Sequence, residues 1–75
     1  MTYSDTLKAY LSKEDVTQAV FAEMIKKKQA TVNRYVAGVR FPDADTARDI
    51  ENATNGGVPF AVWQTEFLQR SGVAA

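Results

Sequence analysis

The residues best equipped for chemistry in this chain lie between positions 17 and 42, and that chemistry is hydrogen bonding to polar edges and anions. Lys26, Lys27, Lys28, Arg34 and Arg40 stand there against a single acid, Glu23, a local balance of +4. Interleaved with them are Gln18, Gln29 and Asn33, whose amides set a donor beside an acceptor. Gln29 matches the donor–acceptor edge of adenine, and Arg34 matches the paired O6 and N7 acceptors of guanine. Asn33 is a second candidate for adenine, Lys28 reaches a base or a phosphate, and Ala30 leaves room for a thymine methyl. The expected base-reading set is therefore Lys28, Gln29, Ala30, Asn33 and Arg34. Gln18, Lys26, Lys27, Thr31 and Arg40 are expected to touch phosphates, which adds affinity and salt dependence without sequence information.

Composition closes off other chemistries. The chain has no cysteine and no histidine, so disulfides, thiol nucleophiles, imidazole bases and the usual zinc ligands are absent. Its carboxylates lack the spacing of a calcium loop, so no metal, no cofactor and no enzymatic activity is expected. Outside positions 17–42 four basic residues face eight acidic ones, a balance of −4, so overall neutrality hides a divided molecule. Such a division steers a polyanion onto one face and repels it from the other. With 75 residues, 45% hydrophobic and 24% charged, the chain reads as one small globular domain whose core is marginal without a partner. No apolar run nears the ~20 residues of a membrane span and no signal peptide is evident. A soluble, cytoplasmic protein, nucleoid-associated in a bacterial host, is the expectation.

The elements that must position these side chains follow from local signals. Ser4 or Asp5 can cap a first helix in which Leu7, Tyr10 and Leu11 form the apolar stripe. Thr17 can cap a second helix with Phe21, Ala22 and Ile25 facing the core and Met24 beside them. A third helix is predicted over 29–37, closed by Gly38, with Val32, Tyr35 and Val36 inward and the polar readers outward. Pro42 cannot continue that helix, and Asp43 caps a fourth over about 44–54 that buries Ala47, Ile50 and Ala53. The run Asn55-Gly56-Gly57 is a break. Beyond it, Pro59 and the spacing of Phe60, Trp63 and Phe67 predict a fifth helix, while Val58, Phe60 and Val62 also alternate as a strand does.

Positions 17–42 resemble the Cro- and repressor-type helix-turn-helix domains of phages and bacteria, the lambda-repressor-like group. The matching residues are Thr17, Gln18, Ala19, Phe21, Ala22, Glu23, Ile25, then Gln29 to Val32, Arg34, Gly38, Arg40 and Pro42. The resemblance implies a compact all-α fold of five helices with its helix-turn-helix core at 17–38. It also implies that Gln18 holds a phosphate, that Gln29, Ala30 and Arg34 face bases, and that Arg40 sits by the DNA backbone. Two departures fall in the turn. Lys26 stands where the family places glycine, and Lys27 where it places an apolar residue. A lysine in a left-handed position costs about 1 kcal/mol, so a reshaped turn or a longer second helix is the expectation. The function expected is a repressor binding a palindromic operator on double-stranded DNA as a homodimer, with 58–75 as dimerisation element and tail. Phe60, Trp63 and Phe67 are its expected dimer contacts. The alternatives are an antitoxin or excision-type DNA binder with a protein partner, or a protein-interaction module that does not bind DNA.

Overall fold

Three threonine and aspartate caps set the helix starts. A computed structural model of the chain describes residues 2–71. It contains α1 (Tyr3–Lys13), α2 (Gln18–Met24), α3 (Gln29–Ala37), α4 (Ala44–Ala53) and α5 (Phe60–Ser71). There is no strand among the described residues. The fifth element is a helix. Met1 and 72–75, the end of the expected dimerisation tail, lie outside the described residues. Thr17 Oγ1 accepts from the Val20 N–H at 3.1 Å, and Asp43 Oδ1 from the Thr46 N–H at 2.8 Å. The first cap is Thr2 rather than Ser4 or Asp5. Its hydroxyl accepts from the Asp5 N–H while the Asp5 carboxylate accepts from the Thr2 N–H, a capping box that starts α1 earlier than expected.

The first four helices all close in the same way. After each, the chain turns left-handed, at one residue after α1, α2 and α3 and at two, Asn55 and Gly56, after α4, and two backbone bonds satisfy carbonyls of the last turn, the Schellman arrangement. The leading left-handed residues are Asp15, Lys26, Gly38 and Asn55, so three of the four closures use a side-chain-bearing residue. Lys26 takes φ 57° while its N–H bonds Glu23 O and the Lys27 N–H bonds Ala22 O. The turn is therefore not reshaped, nor does α2 lengthen: lysine adopts the conformation that glycine would adopt freely.

The core is one cluster. Tyr3, Leu7 and Leu11 from α1 meet Phe21, Ala22 and Ile25, then Val32, Tyr35 and Val36, Ala47 and Ile50, Val58 and Trp63. Three sequence-based core assignments shift. Tyr10 and Ala53 are only half-buried, and Met24 is exposed at 42%. Conversely Tyr3, unassigned by periodicity, is fully buried. Gly57 lies against Tyr10, where a Cβ would fall 2.7 Å from the ring. Thr54 ties the last two helices together, donating to Ile50 O and accepting from the Val58 N–H at 3.0 Å.

The helix α5 holds an aromatic stack that extends beyond its own residues. Trp63 stacks on Phe60 at 4.9 Å and on Phe67 at 4.8 Å between ring centroids, and Phe41 stacks on it at 5.5 Å. The Arg48 guanidinium covers Phe60 at 3.8 Å and that of Arg70 covers Phe41 at 4.6 Å. Glu66 accepts from the Tyr3 N–H and from Arg70, joining the two ends of the chain's fold.

Candidate nucleic-acid interface

The packing of α2 on α3 decides which side chains face outward. Ala22, 3% exposed, is the small residue of α2 at this packing, and Phe21, Ile25, Val32 and Tyr35 fill the space beneath. With Val32, Tyr35 and Val36 buried on one side of α3, the 100° step of a helix turns Ala30, Asn33, Arg34 and Ala37 to the opposite side and Gln29 to its edge. Gln29, Ala30, Asn33 and Arg34 are all exposed. Thr31, on the flank, is half-buried. Lys26, Lys27 and Lys28 are exposed in and after the turn, and Arg40 is exposed in the loop beyond α3. Gln18 is half-buried at the first position of α2.

These groups are available. Among the described residues the ion pairs join Arg48 to Glu51 and Arg70 to Glu66, and none uses a base from 26–40. Among the described residues no side-chain hydrogen bond occupies Gln18, Gln29, Asn33 or Arg34. The start of α3 is open as well. Its cap position is Lys28, which makes no side-chain capping bond, whereas α1, α2 and α4 are capped by Thr2, Thr17 and Asp43. The first amides of α3 and three lysine ammonium groups thus present donors together, an arrangement that attracts anions.

Carboxylates border this face without neutralising it. Asp43, the cap of α4, is held below the usual carboxylate range by hydrogen bonding from the Thr46 side chain and backbone, with Lys27 and Arg40 adding attraction. No group of three or more metal-ligating residues occurs among the described residues, and no described helix is long and apolar enough to cross a membrane.

The three aromatic residues expected at a dimer contact are placed differently from one another. Trp63 is 5% exposed and its indole N–H donates to Pro42 O at 2.8 Å, so it belongs to the chain's own core. Phe60 is half-buried, and Phe67 is 44% exposed. Periodicity passed over Phe41. Its half-buried ring fills the space between Tyr3, Trp63 and Arg70. The local signal available was its place directly before Pro42, which marks an extended segment able to point a side chain inward.

The model of a family described as helix-turn-helix matches residues 7–60, which run from within α1 to the first residue of α5. No curated protein and no solved structure matches the chain.

Proposed function

The chain belongs to the helix-turn-helix family of DNA-binding regulators, and from that premise we propose that it is a Cro-like repressor reading a palindromic operator as a homodimer. The observation that carries this reading is the outward face of α3. The side chains of Gln29, Asn33 and Arg34 lie along it without a hydrogen bond or ion pair among the described residues, beside an open helix start flanked by three lysines. Placed in a major groove ~12 Å wide, that face sets Gln29 against adenine and Arg34 against guanine, with Lys28 and Asn33 as further donors and Ala30 against a thymine methyl. Lys26, Lys27 and Arg40 meet phosphates, Thr31 adds a hydroxyl from the flank, and Gln18 does so from the start of α2. Repression then needs no chemistry, since a protein occupying a promoter excludes the polymerase.

One such domain covers only a few base pairs, and two copies related by a twofold axis would read half-sites about 34–36 Å apart. Phe67 and Leu68, 44% and 40% exposed near the end of α5, are the apolar surface that such a pairing would cover. Phe60 and Trp63 act there indirectly, as the packing beneath Phe67.

Selection of bound duplexes from a random library, followed by titration of the winner at two salt concentrations, tests the reading. A palindromic consensus is expected, with log affinity falling against log salt by about 0.9 for each phosphate that a cation neutralises. Sedimentation of the complex should give two protomers per duplex. No enrichment and no salt-sensitive binding would overturn the proposal and favour a protein-interaction module. One protomer per duplex at micromolar concentration would remove the dimer alone.

A further inference from the structure

Among the described residues the Arg40 side chain makes no ion pair and no hydrogen bond, yet both sides of its backbone are fastened. On the amino side, the N–H groups of Val39 and Arg40 both donate to Arg34 O, at 3.0 and 3.3 Å, which folds the loop back on the end of α3. On the other side, Phe41 and Pro42 turn inward while Val39, 77% exposed, and Arg40 stay outside. That second anchor is built largely by α5. Trp63 stacks flat on Phe41, 12° between ring planes, and bonds the Pro42 carbonyl, while Arg70 closes over the outer face of Phe41. Tyr3 completes the cradle edge-on at 6.0 Å.

We infer that Trp63 is a positioning residue for Arg40: α5 fixes the Phe41–Pro42 step and thereby the loop that presents the Arg40 guanidinium to the DNA backbone. This inference rests on the proposed DNA reading, with Arg40 as a phosphate contact. Its physical basis is entropic. An arginine on a free loop must lose backbone as well as side-chain freedom when it binds, whereas one on a clamped loop loses side-chain freedom alone. The Trp63 N–H is the sharpest handle on the clamp, because removing it leaves the buried Pro42 carbonyl without its donor while a ring can remain in the stack. The consequence is that the far end of the fold, 60–71, tunes affinity for DNA without touching it.

The test is a pair of double-mutant cycles on the full chain, read as affinity for the selected duplex by fluorescence anisotropy at several salt concentrations. Trp63→Phe is made in the wild type, in Arg40→Ala and in Gln29→Ala, with circular dichroism melts to confirm that each variant is folded at the assay temperature. In the wild-type background the expected loss is about three- to tenfold, the range of one hydrogen bond, with a shallower salt slope. In Arg40→Ala that loss should vanish, because the contact being positioned is gone. In Gln29→Ala it should persist in full. Equal losses in all three backgrounds would overturn the inference, since a general loosening of the fold acts on every contact alike. Should Trp63→Phe fail to fold, Arg70→Lys carries the same cycles: it keeps the charge but cannot lie flat on Phe41. Failure of the wild type itself to bind any duplex in a salt-sensitive way would overturn the DNA reading and the inference with it, an outcome distinct from additive cycles on a protein that binds.

Discussion

Replacing Lys26 with glycine should make the protein more stable and a weaker binder of DNA at the same time. Lys26 holds φ 57° at the closure of α2. For an L-residue this conformation costs roughly 1–2 kcal/mol, a cost that glycine escapes. Glycine also gives the unfolded chain freedom worth about 0.4–1 kcal/mol, which offsets part of the gain. The lysine makes no ion pair in the structure that the substitution would forfeit, so the net expectation is a stabilisation of about 0.5–1 kcal/mol, obtained from those two terms. In a domain of this size that raises the midpoint of thermal unfolding by roughly 2–8 °C. Lys26→Ala is the informative control. At an ordinary helical or extended position alanine outlasts glycine; at a left-handed position the order inverts. Circular dichroism melts of the two variants therefore decide the matter by sign. Both should lose the same salt-dependent increment of DNA affinity, about 0.9 in the slope of log affinity against log salt if Lys26 meets a phosphate. A melt in which Lys26→Ala exceeds Lys26→Gly would refute the left-handed closure of α2.

The remaining expectations concern single sites. Arg34→Ala should cost about 1–3 kcal/mol of specific binding and relax preference at one base pair, as seen by repeating the duplex selection; unchanged binding to every sequence would mean that another residue occupies this register. Gly57→Ala should lower stability by about 1–3 kcal/mol, the usual cost of overpacking, because its Cβ would meet the Tyr10 ring at 2.7 Å; a melt like that of the wild type would show that the ring moves aside freely. Stability should fall on acidification. Burial pushes the Glu66 carboxyl upward, but hydrogen bonds from the Tyr3 N–H and Arg70 outweigh it and leave the group below its usual 4.5, and Asp43 likewise lies below 3.8. Folded carboxyls that bind protons less readily than unfolded ones contribute stability above the unfolded value and lose it as pH falls through the folded one. Melts should therefore drop below about pH 4.5, and Glu66→Gln should flatten that drop; an unchanged acid limb would rule out Glu66 as a contributor.

Much of the fold was legible because its signals are local. Thr17 and Asp43 were assigned as caps from residue type and place, and each accepts the expected amide. Val32, Tyr35 and Val36 recur at helical spacing ahead of Gly38, and α3 runs where that pattern put it, with its polar residues outside. What escaped depends on partners distant along the chain. Tyr3 is buried because Phe41 meets its ring and Glu66 takes its N–H, contacts that no window around position 3 contains. Trp63 was expected at a dimer contact, but its place is set by Pro42, whose carbonyl it bonds from 21 residues away. The turn failed in a third way. The local rule against lysine at a left-handed position was sound in energy and wrong in outcome, because helix packing beneath it overrode about 1 kcal/mol of strain.

That override points to a pattern in how this chain distributes its stability. Along 26–28 it departs from good local design three times over: a left-handed lysine, a run of three like charges, and a lysine at a cap position where serine, threonine, asparagine or aspartate is worth about 1 kcal/mol. Elsewhere local choices agree with the fold: a capping box at Thr2, side-chain caps on α2 and α4, and arginines laid over both ends of an aromatic stack. A sequence selected for stability alone would mend 26–28 first, since nothing in the packing requires lysine there; all three side chains are exposed. Three departures gathered in one exposed, basic stretch, at the open start of α3, are what a surface shaped for an anionic ligand should leave behind. Stability comes instead from packing such as that of Tyr3, Phe41 and Trp63, and the same contacts fasten the loop that carries Arg40.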